Sequence, residues 1–286
     1  MRQNRVATIQ DISCFGKCSL TVALPIISAM GIETAIVPTA VLSTHTGGFK
    51  DFTFRDLTAD ISAITNHWKS IGLDFDVIYT GYLGSFEQQK LVSEFIDAFK
   101  TEKNLVLIDP AMGDNGALYT GFTPEFALAM GKLCNKADVI VPNLTEAAFM
   151  LGEEYVGDNY DEKYVQELLK RLCTLGAPVS ILTGVSYEEG KIGAVAYDSK
   201  TGEYHSYFTD KVGGAFHGTG DIFASVCAGV LAKGHTAGEA IEMAADYVVD
   251  SIKATMGHEK EHWYGVRFED AIPALAEKAK KLSATH

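Results

Sequence analysis

Gly218-Thr219-Gly220-Asp221 is the stretch whose reading decides the fold of this chain. It stands between the glycine-rich Val212-Gly213-Gly214 and an apolar run, 222–231, long enough for a helix. A glycine turn feeding a helix start leaves backbone N–H groups without partners. They point beyond the helix end, and the helix dipole favours negative charge there. A carboxylate at that spot would repel a bound phosphate. It makes sense as a base acting on a hydroxyl while the neighbouring amides hold the phosphoryl group in transfer. Four such residues can equally be a plain helix cap, so the rest of the chain has to decide.

Working outward, the chain alternates strands and helices. Residues 6–10 read as a buried strand, 19–30 as a helix that Pro25 should kink and Gly31 should end, and 34–37 as the next strand. Leu57, Ile61, Ile64, Trp68 and Ile71 recur at helical spacing and stop at Gly72. Strands at 77–80 and 105–108 flank a helix that Ser85 and Gln88 should open as a capping box and that runs to residue 100. Thr123-Pro124 starts a helix to residue 134; 139–141 is a strand ending at Pro142-Asn143; 145–151 is a short helix closed by Gly152. Asp161 caps a helix with Val165, Leu168, Leu169, Leu172 and Leu175 on one face, and 179–182 is a strand ending at Thr183-Gly184. Then 192–197 and 204–208 alternate around a turn, which predicts an antiparallel hairpin, and helices follow over 221–232, 237–255 and 268–282.

Repeats, low-complexity segments and flexible linkers are missing from the sequence, so residues 1–286 read as one α/β domain. Its sheet is mostly parallel, with helices on both faces and an antiparallel edge hairpin. Ligands of such sheets sit at the carboxyl ends of the strands. The polar residues at or just past strand ends are Asp11, Thr46, Tyr82, Asp109, Asn143 and Thr183.

Composition narrows the partners. A net charge of −13 argues against nucleic acid and anionic membranes. No apolar run approaches spanning length. The five cysteines are scattered and odd in number, which suits free thiols in a reducing cytoplasm. Cys14 and Cys18 lack the second pair a zinc site would need. Residues 1–5 are polar and lead straight into a strand, so no signal peptide is expected.

Two common phosphate loops fail. Gly16-Lys17-Cys18-Ser19 looks like the end of a P-loop, but position 11, where that motif needs glycine, is Asp. The first strand is followed by one glycine, not the three of a dinucleotide fold. The segment 218–220 is left as the phosphate site. Glu146, three residues after Asn143, can hold the hydration shell of Mg²⁺, or serve as a helix-terminal acid; Asp109 can act from the other side.

The chain resembles the ribokinase-like superfamily, and within it the pyridoxal/pyridoxamine (vitamin B6) kinases. The landmarks are Thr8-Ile9-Gln10, Ser43-Thr44-His45-Thr46, Thr80-Gly81-Tyr82-Leu83-Gly84-Ser85, Asp109-Pro110-Ala111-Met112-Gly113-Asp114, Pro142-Asn143-Leu144-Thr145-Glu146 and Gly218-Thr219-Gly220-Asp221, in family order. The resemblance implies a three-layer ribokinase-like fold and an ATP-dependent kinase acting on the 5′-hydroxymethyl group of pyridoxal, pyridoxamine or pyridoxine. It implies Asp221 as base, with Gly218, Thr219 and Gly220 as the anion hole. Asp11, His45, Thr46 and Tyr82 would meet the ring. Asp109, Asp114, Val141, Asn143, Glu146, Thr183 and Lys211 would serve ATP, with Asp109 and Glu146 also serving Mg²⁺ and a monovalent cation as an option. Residues 114–119, a poor helix or strand, would be a mobile flap over ATP. A cytoplasmic homodimer is the family expectation.

The match departs at Asp11, where the B6 kinases nearest in motif carry serine and hydroxymethylpyrimidine kinases often carry an acid. The nearest rival is therefore a hydroxymethylpyrimidine kinase, and a more distant one is a vitamer sensor without turnover. His217 is either a phosphate contact or a turn-packing residue. Glu153 and Glu154 read as solvated surface, and Trp263 and Tyr264 as helix packing or a dimer face.

Overall fold

The computed structural model describes residues 2–214 and 216–282; Met1 of the polar N-terminal segment lies outside them. Its centre is a nine-stranded sheet. Four parallel strands begin it: β1 (Arg5–Ser13), β2 (Glu33–Leu42), and, after the short antiparallel edge strand β3 (Phe54–Asp56), β4 (Val77–Thr80) and β5 (Leu105–Ile108). The small pair β6 (Gly113–Asp114) and β7 (Ala117–Leu118) stands apart, and β8 (Val139–Ile140) and β9 (Val179–Val185) continue the parallel run. The hairpin β10 (Lys191–Asp198) and β11 (Glu203–Asp210) closes one edge antiparallel, as its alternation predicts. The order is β11-β10-β9-β8-β5-β4-β1-β2-β3.

Successive residues of each central strand feed opposite cores. Val6, Val77, Tyr79 and Leu107 join a cluster beneath the helices α1 (Leu20–Ala29), α7 (Thr219–Ala232), α8 (Ala237–Thr255) and α9 (Ile272–Leu282). Ala7, Ile9, Ile78, Val106 and Ile108 join the opposite cluster under α2 (Thr58–Ser70), α3 (Phe86–Phe99), α4 (Pro124–Leu133), α5 (Leu144–Leu151) and α6 (Glu162–Cys173). This is the three-layer arrangement the sequence implies, since a parallel sheet covered on both faces needs apolar side chains on both. Helix α7 is the most deeply sunk: every residue from Ile222 to Ala232 is buried. Each large aliphatic among them contributes about 1.5–3 kcal/mol. That burial fixes the position of the helix start, where Asp221 sits.

Several local expectations change. Helix α1 continues through Pro25. Ser85 caps α3 through the Gln88 amide, but the Gln88 side chain completes no capping box; it accepts from the Gly84 amide and donates to Thr39 and Thr58. Residues 114–119 are a structured hairpin end, not a loop. Asn115 and Gly116 take positive φ (50° and 77°), the geometry of a tight two-residue turn.

Candidate active site

Helix α7 begins without a side-chain cap. Gly218 takes the N-cap place in the left-handed region (φ 79°), and no side chain accepts from the first-turn amides. Those donors face outward from the carboxyl edge of the sheet. Asp221, half-buried in the same first turn, has its carboxyl pushed up to about 7. Burial is the main cause and the nearby charge of Asp11 adds to it, against a hydrogen bond from the Ser19 backbone. A carboxyl that ionises near neutrality beside orphan amides is suited to accept a proton from an alcohol.

On one side of Asp221 lies a polar knot that the sequence does not announce. Asp11 is buried within β1, where the register with β2 shifts. Its two oxygens accept from the hydroxyls of Ser13 (3.0 Å) and Ser19 (2.6 Å). The carboxylate expected to meet a ring is thus engaged by two serines, and its own pKa is raised, chiefly by burial. Ser19 occupies the N-cap place of α1, where its carbonyl accepts from the Val22 and Ala23 amides but its side chain caps nothing. Its backbone is at φ 57° and ψ −137°, its hydroxyl goes to Asp11 and its backbone serves Asp221. A strained serine joining two carboxyls was missed in the sequence, where Ser19 reads as the first residue of a helix. The Cys18 thiol lies in the field of Asp221 and Asp11, and burial first, then those charges, holds it protonated. Tyr82 is close enough to Asp11 for burial and that charge to raise its phenol to about 12.

On the other side are Asp109 and Glu146. Glu146 makes a full capping box with Asn143 at the start of α5, so the helix-terminal role holds. It also accepts from the Met112 amide (3.1 Å). It is buried, and burial pushes it up to about 7 against the amides of Asn143, Met112 and Gly113. Asp109 is raised as well, by burial and then by Glu146 and Asp221, with Ala111 opposing. None of the described ion pairs involves Asp109, Glu146 or Asp221. Three carboxyls thus share one field without a paired cation.

The β6–β7 hairpin is docked beside them. Asn143 donates to Gly113 O (2.8 Å), Thr145 Oγ1 accepts from the Gly116 amide (2.9 Å), and Tyr119 donates its amide to Met112 O (2.9 Å). Asp114 binds the amide and side chain of Asn115. The Tyr119 side chain is 43% exposed; its phenol is raised, first by partial burial and then by the charges of Glu146, Asp114, Asp221 and Asp109.

The loop after β2 contributes differently from the expectation. His45 is buried, its Nδ1 accepting from the Gly47 amide (3.1 Å), which leaves Nε2–H to donate to Tyr264 O (2.8 Å). Burial holds it below the ordinary histidine range. It anchors a C-terminal segment whose part in the site had no sequence signal. His217 packs on this loop, 5.2 Å from the His45 ring, which favours its turn-packing role. Thr46 is exposed. Trp263 and Tyr264 belong to no helix; they pack with Phe49 and Phe15. Lys17, paired with Glu269 and set over the Phe268 ring, ties the same segment to the turn after β1.

Along the edge toward β11, Val141 is buried in the core and its amide is bonded to Ile108 O. Thr183 bridges to Asn143 and Lys211 is exposed just past β11. Glu153 pairs with Arg171 and is not merely solvated. The described residues contain no cluster of three or more metal-ligating side chains, Cys14 and Cys18 included, and none of their helices is long and apolar enough to cross a membrane.

The phosphomethylpyrimidine kinase family model matches residues 23–265. The chain belongs to that family. It is 30% identical over 257 residues to the pyridoxine kinase of Bacillus subtilis, covering 88% of this chain and 84% of that one. A crystal structure from Bacteroides thetaiotaomicron, designated a phosphomethylpyrimidine kinase and solved with pyridoxal, superposes with a TM-score of 0.90 at 38% identity, covering 96% of each chain. The pyridoxal kinase of Lactobacillus plantarum gives 0.88 at 29% identity, covering 97% of this chain and 98% of that one. The family resemblance read from the six motifs and the three-layer fold agree with these matches.

Proposed function

We propose that this protein is an ATP-dependent kinase that phosphorylates the 5′-hydroxymethyl group of pyridoxal, pyridoxamine or pyridoxine. The observation that carries the reading is Asp221: a carboxyl that ionises near neutrality, in the first turn of a helix whose amides have no side-chain cap. Support for the ring comes from the vitamin B6 kinases among the relatives and from the pyridoxal held by the Bacteroides structure.

In this reading Asp221 accepts the alcohol proton as the oxygen attacks the γ-phosphorus in line, while the bond from that phosphorus to the β–γ bridging oxygen breaks and ADP leaves. The amides of Gly218, Thr219 and Gly220 receive the charge that develops on the transferring group. Tyr82, His45 and Thr46 border the ring, with Asp11 acting through Ser19 on the base. Asn143, Asp114, Thr183 and Lys211 border the nucleotide. The acidic field of Asp109 and Glu146 suits Mg²⁺, which keeps several waters and few protein ligands and would neutralise phosphate charge when bound. The unbroken nine-stranded sheet supports one kinase domain over the whole chain. The free cysteines suit the cytoplasm, and a homodimer is carried by family resemblance alone.

The alternative is a hydroxymethylpyrimidine kinase, favoured by the acid at position 11 and by the family description. ADP release with the three vitamers and hydroxymethylpyrimidine separates the two. Turnover of the pyrimidine alone would replace the B6 reading, and turnover of none would leave a sensor.

A further inference from the structure

Tyr82 does not stand alone. Its ring lies 5.4 Å from that of Phe122, with 34° between the planes. Phe122 in turn is stacked on Phe126 at 4.2 Å and 4°, and Phe126 meets Phe86 at 5.5 Å, nearly edge-on. Phe126 is rooted in the core, whereas Phe86 ends the row at the surface, 53% exposed. The row runs from solvent to Tyr82 with Phe122 as its last link.

Phe122 is also the foot of the β6–β7 hairpin. Its amide donates to Tyr119 O (3.1 Å), and Tyr119 is bonded back to Met112. Met112 in turn donates its amide to the buried carboxyl of Glu146 (3.1 Å), and Gly113 O accepts from Asn143 (2.8 Å). Residues 119–122 therefore touch both halves of the site. One end is bonded to Met112, whose amide holds Glu146, and the other end supports Tyr82. A parallel stack fixes the plane of a ring in a way that an aliphatic side chain of similar volume does not.

We propose that Phe122 is a positioning residue: it sets the plane of Tyr82 for the acceptor ring and couples occupancy of the ring site to the hairpin over the phosphate site. The inference rests on the B6 kinase reading above. It is tested with pyridoxamine, whose amine forms no imine with lysine side chains, in wild type, F122L, F122Y and F86A, by steady-state kinetics with ATP and by hydrogen exchange of residues 113–119 with pyridoxamine alone. F122L raises KM for pyridoxamine about three- to tenfold, the equivalent of one aromatic pair. Its KM for ATP stays within about twofold, and F122Y restores the wild-type value, as does F86A at the far end of the row. Pyridoxamine slows exchange of 113–119 in wild type, and F122L loses that slowing.

An unchanged pyridoxamine KM in F122L overturns the proposal, as does an equal rise in F86A, which would mean general loosening. Should F122L not fold, the wild-type exchange decides: no slowing by pyridoxamine overturns the coupling. Absence of vitamer turnover in wild type overturns the kinase reading and this inference together. Turnover with unaltered F122L removes the inference alone.

Discussion

The carbonyl oxygen of Lys17 lies 1.6 Å from the place a Cβ on Gly218 would occupy. The turn after β1 thus presses its backbone directly on the start of α7. Only a residue without a side chain allows this, and its φ of 79° adds a second demand for glycine. Gly218→Ala should therefore lose more than about 2 kcal/mol of stability and nearly all turnover, since the first turn of α7 would have to move. Thermal melts and ADP release check it; a variant with wild-type melting and rate would show that the contact is dispensable.

The raised carboxyl of Asp221 sets a sign for stability. Its folded pKa, about 7, lies above the ordinary value of 3.8. The folded state then binds the proton more tightly than the unfolded chain, so stability from this group is present below the unfolded pKa and lost as pH rises through the folded one. In the ligand-free protein, Asp221→Asn should raise Tm at pH 8 and give a smaller gain at pH 5, where the wild-type carboxyl is already protonated. Equal gains at both values would mean that its pKa is not raised.

Glu146→Gln should raise the Mg²⁺ concentration needed for half-maximal rate while the fold survives. Gln can still accept from the Asn143 amide as the N3 residue of a capping box, so the helix start is kept while the charge and the bond from the Met112 amide are lost. A Mg²⁺ titration of initial rates checks this. An unchanged midpoint would leave Glu146 with its capping role alone.

Asp11→Ser should act on the base and not primarily on the choice of ring, because the Asp11 oxygens are taken by Ser13 and Ser19. Removing its charge relieves Asp221, whose carboxyl Asp11 helps to raise. The acid limb of kcat/KM should move to lower pH, with similar ratios among the vitamers. An unmoved limb with an altered pyridoxamine-to-pyridoxal ratio would restore a direct ring contact for Asp11.

Much of the scaffold was legible because its signals are local. β4 and β5 are short apolar runs bounded by turn residues, and they occupy the residues their pattern indicates. The start of α8 carries its own capping box at Thr236 and Glu239. The edge strand β3 was not legible: its three residues are exposed and are ordered by pairing with Ala40–Leu42, far from any hydrophobic pattern. β1 extends past Gln10 through Asp11 and Ser13, which stay buried only because they bond to each other and to Ser19. Within the site, Asp221, Glu146 and Asp109 could be found from their place after strands and before helices. Ser19, Phe122 and the segment that holds His45 could not. Their contacts join residues far apart in the chain, and each residue type has a commoner, blander use.

The central claim is that Asp221 is the base of a vitamin B6 kinase. Its most direct test is ADP release by wild type and Asp221→Asn with pyridoxamine and MgATP at pH 8, with ATP affinity measured in parallel. The account predicts robust wild-type turnover, a loss of about 10² to 10⁴-fold in kcat for the variant, and ATP affinity nearly unchanged. A variant that keeps more than about a tenth of the wild-type kcat would contradict it.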